Sequence, residues 1–295
     1  MTLPKDADSD FKMTSWLLPL RKKLYDTVIP LPWGIGEFIW FGLKMAWASL
    51  FGGLFLAALI ITSLWWPENF ALSRYDGLFL MAVFIQIIML ATGLETIEEL
   101  KVIGLYHLIG TAMEIFKVHM GSWQYPDEAL IAVAGVPLFT GFMYGSVGSF
   151  IARALRIFDM RFAPYPPMWT TLVLILLIYI NFFTHHFGPD IRIGLFLVIG
   201  FLFFRTMIHY QIDKLYRRMP FLIAWILSAF FLWIAENVGT LTKTWTYPDQ
   251  EAGWKMVGFA KMGSWALLLV ISFVLVTLVV KIRSPDTEDN PSQGS

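Results

Sequence analysis

Two glutamates lie inside apolar runs of this chain, and each is followed nine residues later by the same string. Glu114 precedes Trp123-Gln-Tyr125-Pro126-Asp127, and Glu236 precedes Trp245-Thr-Tyr247-Pro248-Asp249, at an offset of 122 residues. Gly141 matches Gly263 at that same offset. Trp, Tyr, Pro and Asp in one order behind an equally spaced glutamate read as an internal duplication. A carboxyl in hydrocarbon is costly, so it must face the protein interior, find donors or hold its proton. Proton transfer is the chemistry it offers, with Glu114 and Glu236 as acid or base. His107, seven residues before Glu114, shares a helical stripe with Gly110, Thr111 and Lys117 through steps of three and four. An imidazole there suits a proton relay, which makes His107 the third catalytic candidate.

Around these acids stand residues suited to holding a substrate: Trp123, Tyr125, Asp127, Trp245, Tyr247 and Asp249 in the loops, with Lys117 and Asn181 on helices. Each loop taken singly has a plainer explanation, because Trp and Tyr favour the membrane interface, Pro ends helices and Asp suits a turn. The glutamates likewise fit a role as hydrogen-bonded glue between helices. His119, His185 and His186 fall near one face with Asp127, Asp190 and Asp249, a weak set of metal candidates, since no His-x-x-x-His or Glu-x-x-His pair puts two ligands on one helical face. Arg205, His209 and Asp213 follow helical spacing and could form an ion cluster on the opposite side, with anchoring or lipid-headgroup contact the favoured role. Ser146, Ser149 and Arg153, with Tyr144 and several glycines, read as helix packing. Zero cysteines exclude disulfides and thiolate chemistry, and neither a phosphate loop nor a serine nucleophile elbow is present. The sequence leaves any cofactor unidentified.

The elements that position these residues follow from composition. The chain has 295 residues, 57% hydrophobic and 15% charged, with a mean hydropathy of +0.63 and 22 basic against 22 acidic side chains. A soluble domain is about a quarter charged, and here the apolar residues gather in runs near the ~20 that cross a bilayer. Nucleic-acid binding has no basic footprint. The first 37 residues carry five bases and no long apolar run, which suggests a cytoplasmic segment on the membrane surface, with Phe11, Trp16, Leu17, Leu20 and Leu24 as its apolar side and Pro19 limiting any helix. Eight spans are then expected: Phe38 to Leu64, Asp76 to Gly93, Lys101 to Met120, Ala129 to Leu155, Met168 to His186, Ile191 to Tyr210, Phe221 to Gly239 and Val257 to Val280. With the N-terminus inside, loop Lys and Arg divide fourteen to four in favour of the cytoplasm. Both termini are therefore expected there. Span three is the least apolar, with Glu95, Glu98 and Glu99 before it, but charge placement requires it to cross.

The expected fold is all-α and polytopic: a segment 1–37, a four-helix repeat 38–160, a second 161–283, and a disordered cytoplasmic tail 284–295. Four spans per repeat is an even number, so the halves run parallel, related by a pseudo-two-fold axis along the membrane normal. Glu114 and Glu236 would then face one another across that axis. Pro137 is the one proline expected deep inside a span.

The stretches His107 to Gly148 and Ala235 to Trp265, with Arg217-Arg218-Met219-Pro220, resemble the YoaT-like bacterial integral membrane proteins, a domain-of-unknown-function family. The resemblance runs from span one to Lys281. It implies the bacterial cytoplasmic membrane and brings no activity. A looser likeness, to membrane carotenoid hydratases and cyclases, rests on Glu114, Trp123, Tyr125, Val136, Pro137 and Leu138 over a quarter of the chain, and works only as analogy.

Two functions compete. One is an intramembrane enzyme in which a protonated Glu114 or Glu236 delivers a proton to a lipophilic, lipid or isoprenoid-like substrate while Trp123 or Trp245 steadies a developing cation. The other is a proton-coupled transporter or exporter of a small solute or lipid, with the glutamates carrying protons. A non-catalytic scaffold is a third reading. Membrane lipids are the expected partners. At the 122 offset His107, Lys117 and His119 become Ala229, Gly239 and Leu241, and one specialised site beside a reduced copy favours the enzyme.

Overall fold

A computed structural model describes residues 17–32, 34–67, 69–213, 216–280 and 282–283. Among these the chain is predominantly helical: α1 (Leu18–Val28), α2 (Ile35–Ala48), α3 (Leu50–Trp65), α4 (Arg74–Ala91), α5 (Ile97–His119), α6 (Phe139–Ile157), α7 (Met168–Thr184), α8 (Arg192–Phe203), α9 (Phe221–Leu241) and α10 (Ala260–Val279). Phe11, Trp16 and the tail 284–295 lie outside the described residues. Pro19 falls in the first turn of α1, where its missing N–H has no helical acceptor to lose.

Three helices, α4, α9 and α10, are long and apolar enough to cross a membrane. The pair α2 and α3, bent by 71° at their break, makes a fourth if counted as one span. α7 and α8 are apolar but shorter, and the 12 residues of α8 rise only about 18 Å. α5 is long and carries several charged residues, yet Glu99, Glu114 and Lys117 are all buried. Large apolar side chains point outward instead, Phe38, Leu108, Phe201 and Phe231 among them.

Two small antiparallel sheets correct the all-α expectation. Ala132–Val133 (β1) pairs with Val136–Pro137 (β2) through a two-residue turn at Ala134 and Gly135, whose φ values are 49° and 77°. Positive φ at both turn residues is what a tight hairpin needs. The run from Ala129 is therefore a loop and hairpin before α6, and Pro137 lies in β2 instead of deep inside a span. The second sheet orders Arg161–Ala163 (β3), Met207–Gln211 (β4) and Tyr216–Pro220 (β5), with Phe162 opposite Ile208 and Ile208 opposite Met219. Helix α8 stops at Phe203, so the last part of the sixth apolar run is strand and the helical spacing of Arg205, His209 and Asp213 does not apply. Hydropathy cannot separate a short apolar strand from the end of a helix.

α5 begins with a capping box: the Thr96 hydroxyl accepts from the Glu99 N–H at 3.2 Å, and the Glu99 carboxyl accepts from the Thr96 N–H at 2.8 Å. Glu98 and Glu99 in its first turn and Lys117 and His119 in its last complement the helix dipole.

The chain divides into two compact units, with boundaries after Ala48, Phe150, Ser228 and Trp265. One contains α3, α4, α5, the hairpin and both Trp-x-Tyr-Pro-Asp loops. The other contains α1, α2, the three-stranded sheet, α7 and α8, with the part of α10 from Ala266 to Thr277 buried almost throughout. In that second unit Asp159 gathers Arg161 at 2.8 Å, Arg283 at 3.2 Å and the Tyr216 hydroxyl.

Candidate functional site

The site is built in the unit that holds both loops, and it starts from how two helices end. At the end of α5, Gly121 takes a φ of 66°, its N–H reaches Val118 O and the Ser122 N–H reaches Lys117 O. At the end of α9, Lys243 takes a φ of 52°, its N–H reaches Thr240 O and the Thr244 N–H reaches Gly239 O. These are the same left-handed cap, residue for residue at the 122 offset. The reversal sends each following Trp and Tyr back along its own helix toward the glutamate.

The carboxyls are thereby enclosed by donors. Glu114, 3% exposed, accepts from Trp123 Nε1 at 2.8 Å and the Tyr125 hydroxyl at 2.6 Å on Oε2, and from the Tyr144 hydroxyl at 2.8 Å on Oε1. Glu236, 4% exposed, accepts on Oε1 from Trp245 Nε1 at 3.1 Å and from the Tyr247 hydroxyl. The two sets meet through their rings, since Trp123 and Tyr247 stand edge to face with centroids 6.1 Å apart. Their loops are also joined: Gln124 and Thr246, equivalent at the offset, exchange backbone hydrogen bonds of 3.0 and 2.9 Å in an antiparallel bridge. Burial, and then the neighbouring carboxyls, hold the phenol protons of Tyr125 and Tyr247 on well above the ordinary tyrosine range.

The close approaches depend on missing side chains. Any Cβ at Gly239 would stand 1.9 Å from the Trp245 ring, and one at Gly110 would stand 2.5 Å from Tyr144. Lys117 occupies the position equivalent to Gly239 and is itself buried, one turn from Glu114.

Three consecutive residues at the start of α4 secure both loops. Arg74 reaches Thr244 Oγ1 at 2.9 Å and Asp127 at 3.6 Å. The Tyr75 hydroxyl donates to Thr244 O at 2.8 Å and accepts from the Asp127 N–H at 3.4 Å. Asp76 accepts from the N–H groups of Ile131 at 2.7 Å and Leu130 at 3.0 Å. Sequence reasoning missed this clamp. It also gave Tyr144 a packing role, and it passed over Lys261, whose Nζ lies 4.2 Å from the Tyr247 ring centroid and 4.8 Å from that of Trp123.

The other candidates are placed as follows. The His107 ring packs on Phe142 at 4.8 Å between centroids and against Gly141, with Nδ1 buried and without a hydrogen-bond partner among the described residues. Asp127 and Asp249 are exposed, the latter in a 3-10 turn over Pro248–Gln250. Asn181 belongs to the other unit, where its side chain closes the α7–α8 loop by accepting from the Ile191 N–H at 3.1 Å and donating to Asp190 at 3.3 Å. Asp190 is held down to about 2 by its hydrogen bond from Arg192. His185 and His186 stack at 4.3 Å beside Asn181, while His119 is exposed at the end of α5. Among the described residues no group of three or more His, Cys, Asp or Glu is placed to hold a metal ion.

Glu95, which sequence reading put merely before span three, is a second buried acid, accepting from Ser149 at 2.8 Å and from Gln86.

Comparison with known proteins agrees with the residue patterns. No solved structure matches. The Bacillus subtilis (strain 168) protein described as "Uncharacterized protein YoaT" is 43% identical over 253 residues, covering 85% of this chain and 95% of its own. Residues 37–273 match the family described as "Protein of unknown function (DUF817)". The chain belongs to that family.

Proposed function

We propose that this protein is an intramembrane enzyme of the bacterial cytoplasmic membrane, using glutamate acid–base chemistry on a lipophilic, lipid or isoprenoid-like substrate. The observation that carries the proposal is the pair of buried carboxyls, each enclosed by an indole and a phenol from its own loop, with Trp123 of one set and Tyr247 of the other edge to face at 6.1 Å. Glu114 has the fuller donor set and the buried Lys117 beside it, so it is the proton-transfer residue. Glu236, with two donors, is the supporting acid. Trp123 presents an electron-rich face to positive charge developing on the substrate.

The proposal includes eight passes with both termini cytoplasmic, arranged as two parallel four-helix repeats. The fourteen-to-four charge bias, the outward apolar side chains and the inward burial of the charges on α5 support it. The identical helix caps and the Gln124–Thr246 bridge support the duplication, since an antiparallel bridge between equivalent residues is what a two-fold axis generates. Membrane lipids are the partners.

Lipid profiles of strains carrying Glu114→Gln, Glu236→Gln or a deletion test the reading. One lipid class should change in the deletion and in Glu114→Gln, and an unchanged lipidome in all three rejects it. Proton-coupled transport is the second reading, favoured by the bent α2–α3 pair, because interrupted helices mark many transporter sites.

A further inference from the structure

Lys261, near the start of α10, sets its ammonium over two rings that come from different loops. Nζ is 4.8 Å from the centroid of Trp123 and 4.2 Å from that of Tyr247. The rings stand edge to face at 6.1 Å and 79°, which makes them two walls of an aromatic corner. Distances under about 6 Å to both centroids place a cation in the attractive field of both ring quadrupoles. The walls are polarised from behind. Trp123 Nε1–H donates to Glu114 and the Tyr247 hydroxyl donates to Glu236, and donation toward a carboxyl pushes electron density into each ring, deepening its negative face. Trp123, Tyr247 and Lys261 are each half-buried, so the corner is reachable from outside. A lysine chain is a flexible tether with a compact charge, the kind of occupant a competing cation can displace.

We propose that Trp123 and Tyr247 form a recognition site for an organic ammonium group, occupied in cis by Lys261 until such a ligand displaces it. The ligand class is a quaternary or protonated amine, either free or as the headgroup of a lipid. This goes beyond the acid–base reading and stands without it, since it needs the two rings and not proton transfer by the glutamates.

The test uses the full chain in nanodiscs of phosphatidylglycerol, where no headgroup ammonium competes, titrated calorimetrically with choline and with its uncharged isostere 3,3-dimethyl-1-butanol. Lys261→Ala and Lys261→Met should each bind choline about tenfold more tightly than the wild type, because the tethered competitor is gone. Adding Trp123→Leu or Tyr247→Leu to either should abolish that gain, and the uncharged isostere should bind none of them measurably. A parallel arm with phosphatidylcholine in the nanodisc separates the sources: suppression of choline binding identifies a lipid headgroup, and unchanged binding a free amine. The proposal is overturned if choline does not saturate folded Lys261→Ala or Lys261→Met, or if the isostere binds equally well. Should both lysine variants fail to fold, choline protection of the wild type against thermal unfolding takes their place. Protection lost in Trp123→Leu supports the site, and its absence rejects it. A lipidome altered by the deletion and by Glu114→Gln, with no choline binding, would remove this site alone, whereas choline binding beside an unaltered lipidome would remove only the enzyme.

Discussion

Gly239→Ala is the sharpest structural perturbation of the site, because one methyl group tests how Trp245 reaches Glu236. The new Cβ would meet three atoms of the indole at 1.9, 2.4 and 2.5 Å, well inside contact distance. The ring is 8% exposed and must shift by more than an ångström, which breaks its 3.1 Å hydrogen bond to Glu236. Overpacking of this kind costs about 1–3 kcal/mol. Leaving a buried carboxyl short of a donor costs about 1–3 kcal/mol more. Against this, Ala in place of Gly favours a helix by up to about 1 kcal/mol. The net loss is about 1–6 kcal/mol, a fall in Tm of at least about 2 °C at roughly 2–4 °C per kcal/mol. Thermal unfolding in detergent, followed by near-UV circular dichroism so that the indole environment is read directly, is the assay. Gly104→Ala on α5 is the control, since a Cβ there meets nothing within 4 Å, and its Tm should stay level or rise slightly. If the two variants unfold alike with the same aromatic signal, the packing account of Trp245 is refuted.

Lys243→Gly should stabilise the protein by about 1 kcal/mol, since a lysine at a φ of 52° carries the left-handed penalty that Gly121 avoids; an unchanged Tm contradicts this. Tyr144→Phe removes one of the three donors on Glu114 and should lower stability by about 1–2 kcal/mol in the same assay, with a larger loss of any lipid-modifying activity than Tyr247→Phe produces. Asp76→Ala frees the N–H groups of Leu130 and Ile131, and hydrogen exchange should rise at 127–131 while α5 stays protected. Asp190 is depressed from 3.8 to about 2, so its contribution is complete above 3.8 and disappears as pH falls through about 2. The Tm gap between wild type and Asp190→Asn should accordingly close over that interval.

Much of the site was legible because it is written locally. Nine residues separate each Glu from its Trp and eleven from its Tyr, and both partners fold back on the helix that has just ended. Repetition of the string at 122 residues marked these positions among many other aromatic residues. The clamp at Arg74, Tyr75 and Asp76 was not legible, since its partners lie 52 to 170 residues away and a polar tripeptide at a helix start looks like ordinary capping. Hydropathy located the helices but overran their ends at Ala129 and Tyr210, where short strands carry the same apolar composition. Burial of Glu95 and the placement of Lys261 over two rings depend on which faces meet, which no periodicity in a single helix records. Asn181 drew notice as a polar group on an apolar helix, and its partners are the loop residues that follow it.

The central claim is that Glu114 acts on a lipophilic molecule within the membrane. Glu114→Gln keeps the size of the side chain and removes its ability to exchange a proton, so a substrate should bind and remain unreacted. Mass spectrometry of lipid co-purifying with wild type and with Glu114→Gln measures this directly. Enrichment of one lipid class on the variant over both the wild type and the bulk membrane is the predicted result. Identical lipid on both proteins, matching the bulk membrane, would contradict the account.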